Sequence, residues 1–223
     1  MKTNEELQKD VQDAIKWEPL LNAAEIGVTT KDGIVTLTGV VDNYSKKLQA
    51  EEAARNVAGV TAVVEKIKIE FGKTDKKQDS EIATAVLNAF KWNLQVPNDK
   101  VKVKVEDGWV TLDGVLEWNY QREEARDTIS DLIGVKGVTN NIKLRSDTHD
   151  EIEKDGIESA LARNWSLNNQ DIQVKVSVNK VTLTGVVSSW YQRAEAERIA
   201  FNSPGVWTVN NELEVEYNYS LVD

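Results

Sequence analysis

The decapeptide DGIVTLTGVV at 32–41 recurs twice along the chain, as DGWVTLDGVL at 107–116 and VNKVTLTGVV at 178–187. Each stretch contains a glycine, and a Gly-Val pair begins twenty positions beyond that glycine in all three copies. These glycines are Gly39, Gly114 and Gly185, followed by Gly59, Gly134 and Gly205. So many matches at fixed offsets indicate threefold duplication of one structural unit.

The apolar pattern of each copy predicts the order helix, strand, strand, helix, strand. The first helix has an apolar stripe, seen in copy one as Leu7, Val11 and Ile15, and the two following segments alternate apolar and polar residues as strands do. We therefore predict an α+β fold of three tandem αββαβ modules, each a three-stranded mixed sheet with two helices on one face. The third strand is expected to run parallel to the second where the two are adjacent. The predicted modules span 1–71, 78–146 and 149–217.

Glycines and asparagine predict the local geometry of the module. Asp32-Gly33 lies between the first two strands, where a tight hairpin turn needs positive φ, and Asn179 takes the glycine position in copy three. Gly39 is expected to lie against a helix backbone. Gly59 is expected to be the C-terminal cap of the second helix.

Composition excludes several classes of chemistry. Cysteine is absent and His149 is the only histidine, so thiolate nucleophiles, disulfides and ordinary zinc sites lack their residues. Lys and Arg number 27 against 37 Asp and Glu, and the net charge of −10 disfavours binding to nucleic acid. The GxGxxG, P-loop, HExxH and GxSxG motifs do not occur. We predict no catalytic residues, no metal, no cofactor and no nucleic-acid partner.

The amino terminus predicts a location. Leu7 is the first apolar side chain after Met1, and no apolar run approaches the roughly 18 residues that cross a bilayer. We expect a cytoplasmic protein, or a periplasmic one if a signal segment has been removed.

A cation with aromatic neighbours recurs where the second helix begins. The cation lies in the first turn, where the helix dipole disfavours it, so a bound phosphate, a nearby carboxylate or solvent is expected to compensate. Aromatic residues in this strand-to-helix loop suit a bilayer interface or a contact between modules. The candidate lipid- or partner-binding residues are Tyr44, Lys47, Trp118, Tyr120, Arg122, Trp190, Tyr191 and Arg193.

The remaining tryptophans are assigned by their positions. Trp17 and Trp92 end the first helix and are expected in the core, and Trp165 of copy three is expected to do the same. Trp109 and Trp207 lie on strands at positions that the other copies do not share. Trp109 and Trp207 are therefore expected to be either exposed interaction points or packing residues.

With these residues in view, the repeat resembles the BON domain. The resemblance rests on a strand VTLTG, then helices QAEEAARNVAGV, EEARDTISDLIGV and AEAERIAFNSPGV, then a strand with asparagine at Asn140 and Asn211. Copy one has Glu65 at the asparagine position. The resemblance covers nearly the whole chain and implies association with phospholipid membranes or envelope components, a link to osmotic stress, and no catalysis.

Two hypotheses for function follow from the residues and the resemblance. In the first, the modules engage membrane phospholipid or an envelope-associated protein through the aromatic and cationic residues that begin the second helices. In the second, the protein is an interaction scaffold whose modules bind a partner protein or each other.

Overall fold

A computed structural model of the chain describes residues 2–72, 76–145, 154–167 and 171–216. It contains three copies of the predicted αββαβ module, and each copy has its own mixed sheet. The predicted α+β fold of three tandem modules is confirmed. His149 and the outer limits of the third predicted module lie outside the described residues.

The first module has the sheet order β1-β2-β3, with β1 antiparallel to β2. Its elements are α1 (Asn4–Trp17), β1 (Ile26–Lys31), β2 (Ile34–Val41), α2 (Tyr44–Arg55) and β3 (Ala62–Ile69), with a short 3-10 helix at Ala23–Glu25. A capping box begins α1, because Glu6 N–H donates to Thr3 Oγ1 at 3.2 Å and Thr3 N–H donates to Glu6 Oε2 at 2.8 Å.

The second module repeats this order, but its third strand is interrupted. Its elements are α3 (Asp79–Trp92), β4 (Val101–Glu106), β5 (Trp109–Leu116), α4 (Asn119–Ser130), β6 (Gly137–Asn140) and β7 (Lys143–Leu144). Both β6 and β7 pair with β5 in the parallel sense, and β4 pairs with β5 in the antiparallel sense. The Oδ1 of Asn140 accepts the Ile142 N–H at 3.2 Å, but this bond does not explain the interruption, because Asn211 makes the same bond to Leu213 at 3.3 Å within a continuous strand.

The third module has the sheet order β10-β9-β8. Its elements are α5 (Lys154–Arg163), β8 (Ile172–Ser177), β9 (Lys180–Val187), α6 (Trp190–Phe201) and β10 (Thr208–Val215). The strand β10 runs parallel to β9 and β8 runs antiparallel to it. The predicted parallel third strand is therefore confirmed in modules two and three.

The core of each module lies between its helices and one face of its sheet. In module two, Val110 and Leu112 on the central strand are fully buried, while Thr111 between them is half-buried on the opposite face. The alternation is what a strand with one covered face requires. Burial of each such side chain stabilises the module by roughly 1.5–3 kcal/mol. The equivalent buried residues of the other modules are Val35, Leu37, Val181 and Leu183.

The glycine of the central strand lies directly against another backbone. A Cβ on Gly39 would lie 2.0 Å from the carbonyl oxygen of Glu25. The same contact would be 2.3 Å between Gly114 and Lys100 O. The predicted close approach is confirmed. In module one the partner Glu25 ends the short 3-10 helix, so a helix backbone lies there as predicted, but in module two the partner Lys100 lies in a turn and the prediction was wrong. In both modules the glycine pairs with the first residue of the first strand, which places the preceding residue against it.

The hairpin of the third module differs from the other two. Asp32 and Gly33 both have positive φ, 51° and 79°, as the turn prediction requires. In module three Val178 has a φ of 54°, and Asn179 is not among the positive-φ residues. The prediction for Asn179 was therefore wrong. Its side chain instead donates to the carbonyl of Gly205 at 2.9 Å.

The second helix ends before the glycine that was predicted to cap it. The C-cap residues of α4 and α6 are Asp131 and Asn202, both in the right-handed helical region. Gly134 and Gly205 come three residues after these caps, with φ values of 98° and 79°. The glycine therefore serves the turn that leads to the third strand, and the capping prediction was wrong.

We predict that Val178→Gly is more stable than Val178→Ala by about 1 kcal/mol, because only glycine adopts a positive φ without steric cost. Both variants remove the same exposed side chain, so they differ chiefly in backbone tolerance. Urea unfolding of the full chain measures the difference. Equal stabilities, or a more stable alanine variant, would show that position 178 is not left-handed.

Candidate functional site

The tryptophans at the ends of the first helices are exposed to solvent. Trp17 and Trp92 are each 84% exposed, and Trp165 is 81% exposed. The prediction that these three lie in the core was therefore wrong. Helical periodicity explains the error, because Trp17 follows the buried Ile15 by two residues and so projects about 200° away from the apolar stripe.

Each exposed indole belongs to a short loop with further apolar and cationic groups. We call these the tryptophan loops and define them as residues 16–20, 91–94 and 163–165. Leu20 is 57% exposed and Leu94 is fully exposed. Every loop also contains an exposed cation next to or two residues before its tryptophan, and these cations are Lys16, Lys91 and Arg163.

An asparagine fixes the tryptophan loop to the second helix in modules two and three. The Oδ1 of Asn93 accepts the Gln95 N–H at 2.9 Å, and its Nδ2 donates to Glu124 Oε1 at 2.8 Å. Asn164 makes the equivalent bonds, to the Ser166 N–H at 3.0 Å and to Glu195 at 2.9 Å. The side chain therefore shapes the turn and ties it to the helix packed alongside.

Module one lacks this tie. Glu18 stands where Asn93 and Asn164 stand in the other modules, and Gln49 stands where they have Glu124 and Glu195. The Gln49 Oε1 is buried and has no hydrogen-bond partner within the described part of the chain. A buried acceptor without a donor destabilises a fold by about 1–3 kcal/mol.

We predict that Glu18→Asn stabilises the protein by about 1 kcal/mol, because the new amide can donate to Gln49 Oε1 as Asn93 donates to Glu124. Thermal unfolding of the full chain tests this. Glu18→Asp is the matched control, since a carboxylate of similar size offers no donor. An asparagine variant no more stable than the aspartate variant would contradict the prediction.

In module three the carboxylate of Glu195, which binds Asn164, is stabilised in its charged form. Arg198 donates to Glu195 through Nε at 2.8 Å and through Nη2 at 2.6 Å. These hydrogen bonds hold the pKa of Glu195 below its ordinary value of 4.5, against partial burial, which acts in the opposite direction. The charge of Arg198 and the amide of Asn164 lower this pKa further.

Glu195→Gln is expected to lower the free energy of unfolding by about 1 kcal/mol at pH 7. Because the folded pKa of Glu195 is lower than the unfolded one, its stabilisation is complete above about pH 4.5 and is lost as the pH falls through the folded pKa. The difference between the two proteins should therefore shrink as the pH falls through the folded pKa of Glu195. Urea unfolding at pH 7 and at a series of acid pH values measures it, with the exposed Glu214→Gln as control. A pH-independent difference would contradict the assignment.

In each module the predicted lipid- or partner-binding residues lie at the start of the second helix, but their side chains are not equally exposed. Tyr120 is 52% exposed, Tyr191 is 41% exposed and Trp118 is 37% exposed. The other five predicted residues are half-buried, and they are Tyr44, Lys47, Arg122, Trp190 and Arg193. This set stays a prediction.

The structure shows what compensates the cation in module three. Arg193 donates to the backbone carbonyls of Asn211 at 2.7 Å and Leu213 at 3.0 Å, and its guanidinium lies 5.1 Å from the ring centre of Trp190. Asn211 in turn donates to the carbonyl of Arg193 at 2.9 Å. Arg193 therefore holds α6 to β10, and the family asparagine has the same structural role.

Module two repeats part of this arrangement. Asn140 donates to the carbonyl of Arg122 at 2.8 Å, and Arg122 pairs with Glu123 at 3.4 Å. In module one Glu65 replaces the asparagine, and its carboxylate accepts the N–H of Ile67, the bond that Asn140 makes to Ile142. The side chain therefore supports its own strand in both modules.

Two absences within the described residues bear on chemistry. Within the described ranges, no cluster of three or more His, Asp or Glu side chains is arranged to hold a metal ion. None of the described helices is long and apolar enough to cross a membrane.

A protein-family comparison decides the relationship of the repeat. The model of the BON domain matches residues 3–70, 78–146 and 149–217. The chain belongs to the BON domain family. Among curated proteins, this BON-domain chain is similar to osmotically-inducible protein Y of Escherichia coli, with 30% identity over 129 residues. The match covers 56% of the chain and 64% of that relative.

Solved structures add only distant likenesses. One is CdsD, a structural protein of the type III secretion system of Chlamydia trachomatis, with 14% identity, a TM-score of 0.25, and coverage of 95% of this chain and 92% of that one. Another is the periplasmic domain of the inner membrane protein PrgH from S. typhimurium, with 10% identity, a TM-score of 0.20, and coverage of 86% and 99%. Similarity this low has no bearing on function.

Proposed function

We infer that this BON-domain protein binds the surface of phospholipid bilayers through its three tryptophan loops, in a stress-linked role at the cell envelope and without catalysis. The observation that supports this most is the repetition of an indole more than 80% exposed at the end of the first helix in every module. Exposed single apolar residues are ordinary, but an exposed tryptophan within two residues of the equivalent position in all three modules is not.

Tryptophan is chemically suited to the boundary between lipid and water. Its ring buries a large apolar area, while its N–H can still reach a polar partner at the headgroup level. The exposed Leu20 and Leu94 add apolar area to two of the loops. A loop fixed by a side-chain tie such as that of Asn93 loses little conformational freedom when it inserts.

The cations of the tryptophan loops fit a phosphate headgroup. Lys16, Lys91 and Arg163 are exposed, and none of the three makes an ion pair among residues 2–72, 76–145, 154–167 and 171–216. The net charge of −10 opposes long-range attraction to anionic lipid. Within a Debye length of about 8–10 Å the nearest charges matter most, and the second and third tryptophan loops contain a cation and no carboxylate, whereas Glu18 offsets Lys16 in the first.

The stress link rests on the relative and the family. The similar protein of Escherichia coli is named for osmotic induction, and the resemblance to the family implies envelope association. The comparisons give no support to the cytoplasmic location expected from the amino terminus, so that location stays a prediction.

A second candidate function is a protein-interaction scaffold that uses the starts of the second helices. The exposed Tyr120, Tyr191 and Trp118 favour it, because aromatic residues beside arginine are enriched at protein interfaces. The hydrogen bonds of Arg193 to β10 make that helix start rigid, which suits a partner of fixed shape.

Co-sedimentation with vesicles tests the bilayer function. We expect the full chain to pellet with phosphatidylglycerol–phosphatidylcholine vesicles, and the triple variant Trp17→Ala, Trp92→Ala, Trp165→Ala to partition at least about tenfold less, because it loses three interfacial anchors. The side chains are exposed, so thermal unfolding of the variant should be unchanged. Lys16→Gln with Lys91→Gln and Arg163→Gln should weaken binding to anionic vesicles more than to neutral ones.

The matched control is the double variant Trp118→Ala, Trp190→Ala, which removes indoles outside the tryptophan loops. It should pellet as the intact protein does. If the control variant instead lost vesicle binding, the binding site would lie at the starts of the second helices. An intact protein that stays in the supernatant with both anionic and neutral vesicles would end the bilayer proposal.

A further inference from the structure

Module two carries an exposed tryptophan on the open face of its sheet. Trp109 begins β5 and points away from the core, since the next residue, Val110, is fully buried on the helix side. Its side chain is 52% exposed. In the register it lies between Glu106 of β4 and Gly137 of β6.

The indole lies flat across the neighbouring strand. A Cβ on Gly137 would come within 2.3–2.6 Å of three atoms of the six-membered ring of Trp109. Gly137 is buried and is not among the positive-φ glycines, so its backbone conformation does not demand glycine. Because Gly137 has no side chain, the ring of Trp109 packs directly on the backbone at this position. One face of the ring therefore lies against the sheet and the other faces outward.

The fold does not need this pair. At the equivalent positions module one has Ile34 with Ala62, and module three has Lys180 with Thr208. Both modules form the same sheet with these ordinary residues. A structural requirement common to the modules therefore does not explain the Trp109–Gly137 pair.

Polar groups of balanced charge surround the ring. Lys104 and Glu106 form an ion pair of 2.9 Å on β4. Thr111 lies beside Lys104 and Thr139 in the next row of the sheet, and Lys102 lies opposite Asp113 in the row after it. Strands are about 4.8 Å apart and alternate residues about 6.8 Å apart, so hydroxyl, carboxylate and ammonium groups lie within reach of a small ring placed on the indole.

We propose that this face of module two binds an uncharged saccharide, with one pyranose ring stacked on Trp109. The C–H face of a pyranose packs on the outward face of the indole. Its hydroxyl groups exchange hydrogen bonds with Lys104, Glu106 and the two threonines. The four charged groups nearest the ring, Lys102, Lys104, Glu106 and Asp113, cancel, which complements a neutral ligand and offers no net local attraction to the phosphates of nucleic acid.

Titration of the full chain with cellohexaose, chitohexaose and maltohexaose tests the proposal, by calorimetry and by chemical-shift mapping of module two. We expect at least one hexasaccharide to bind and to shift the amide signals around Trp109. Trp109→Ile, which copies Ile34 of module one, should weaken binding at least about tenfold. Gly137→Ala should weaken it as well, because the new methyl group tilts the ring off the sheet while Trp109 remains present.

Trp92→Ile is the matched control, since it removes an exposed indole outside this face and should leave saccharide binding unchanged. Thermal unfolding of each variant shows whether the sheet is intact. The proposal is overturned if the intact protein binds none of the three hexasaccharides, if Trp109→Ile binds as well as the intact protein, or if Trp109 instead supports binding of an oligothymidine. Vesicle binding does not bear on these outcomes, because the tryptophan loops are untouched.

Discussion

The structure of every module depends on a backbone-to-backbone contact at the glycine of its central strand. At Gly39 a single methyl group would overlap the carbonyl of Glu25, and the equivalent contacts occur at Gly114 and Gly185. This contact lets the first strand begin directly beside the central strand and sets the register that aligns Val35 and Leu37 with the core. Because a one-residue shift would turn every side chain to the opposite face, the tight contact and the apolar alternation support each other.

The fold could be predicted from the sequence because local and long-range signals agree. The stripe of Leu7, Val11 and Ile15, the alternation around Leu37 and the turn at Gly33 all indicate the same module, and the pattern occurs three times. The errors occurred where a residue type has more than one use. A glycine after a helix suggests a cap, yet Gly134 belongs to the following turn and Asp131 is the cap.

The candidate site was harder to predict, because hydrophobicity alone does not tell a buried tryptophan from an exposed one. The core prediction for Trp17 and Trp92 rests on their position at the end of the first helix, and it fails because their offset of two from Ile15 and Phe90 places them on the opposite side of the helix. Trp165 gave no such signal, since it follows the last helical residue by two positions. The contacts of Arg193 with β10 also could not be foreseen, because they join residues about twenty positions apart through backbone carbonyls.

The bilayer proposal depends most on three exposed indoles at or just after the end of the first helices, and their accessibility can be measured directly. The chain would be labelled with 5-fluorotryptophan, its fluorine resonances assigned by single Trp→Phe replacements, and a soluble paramagnetic agent added. We expect strong and similar broadening of the resonances of Trp17, Trp92 and Trp165, well beyond that of the half-buried Trp207. Protection of any of the three equal to that of Trp207 would contradict the bilayer proposal.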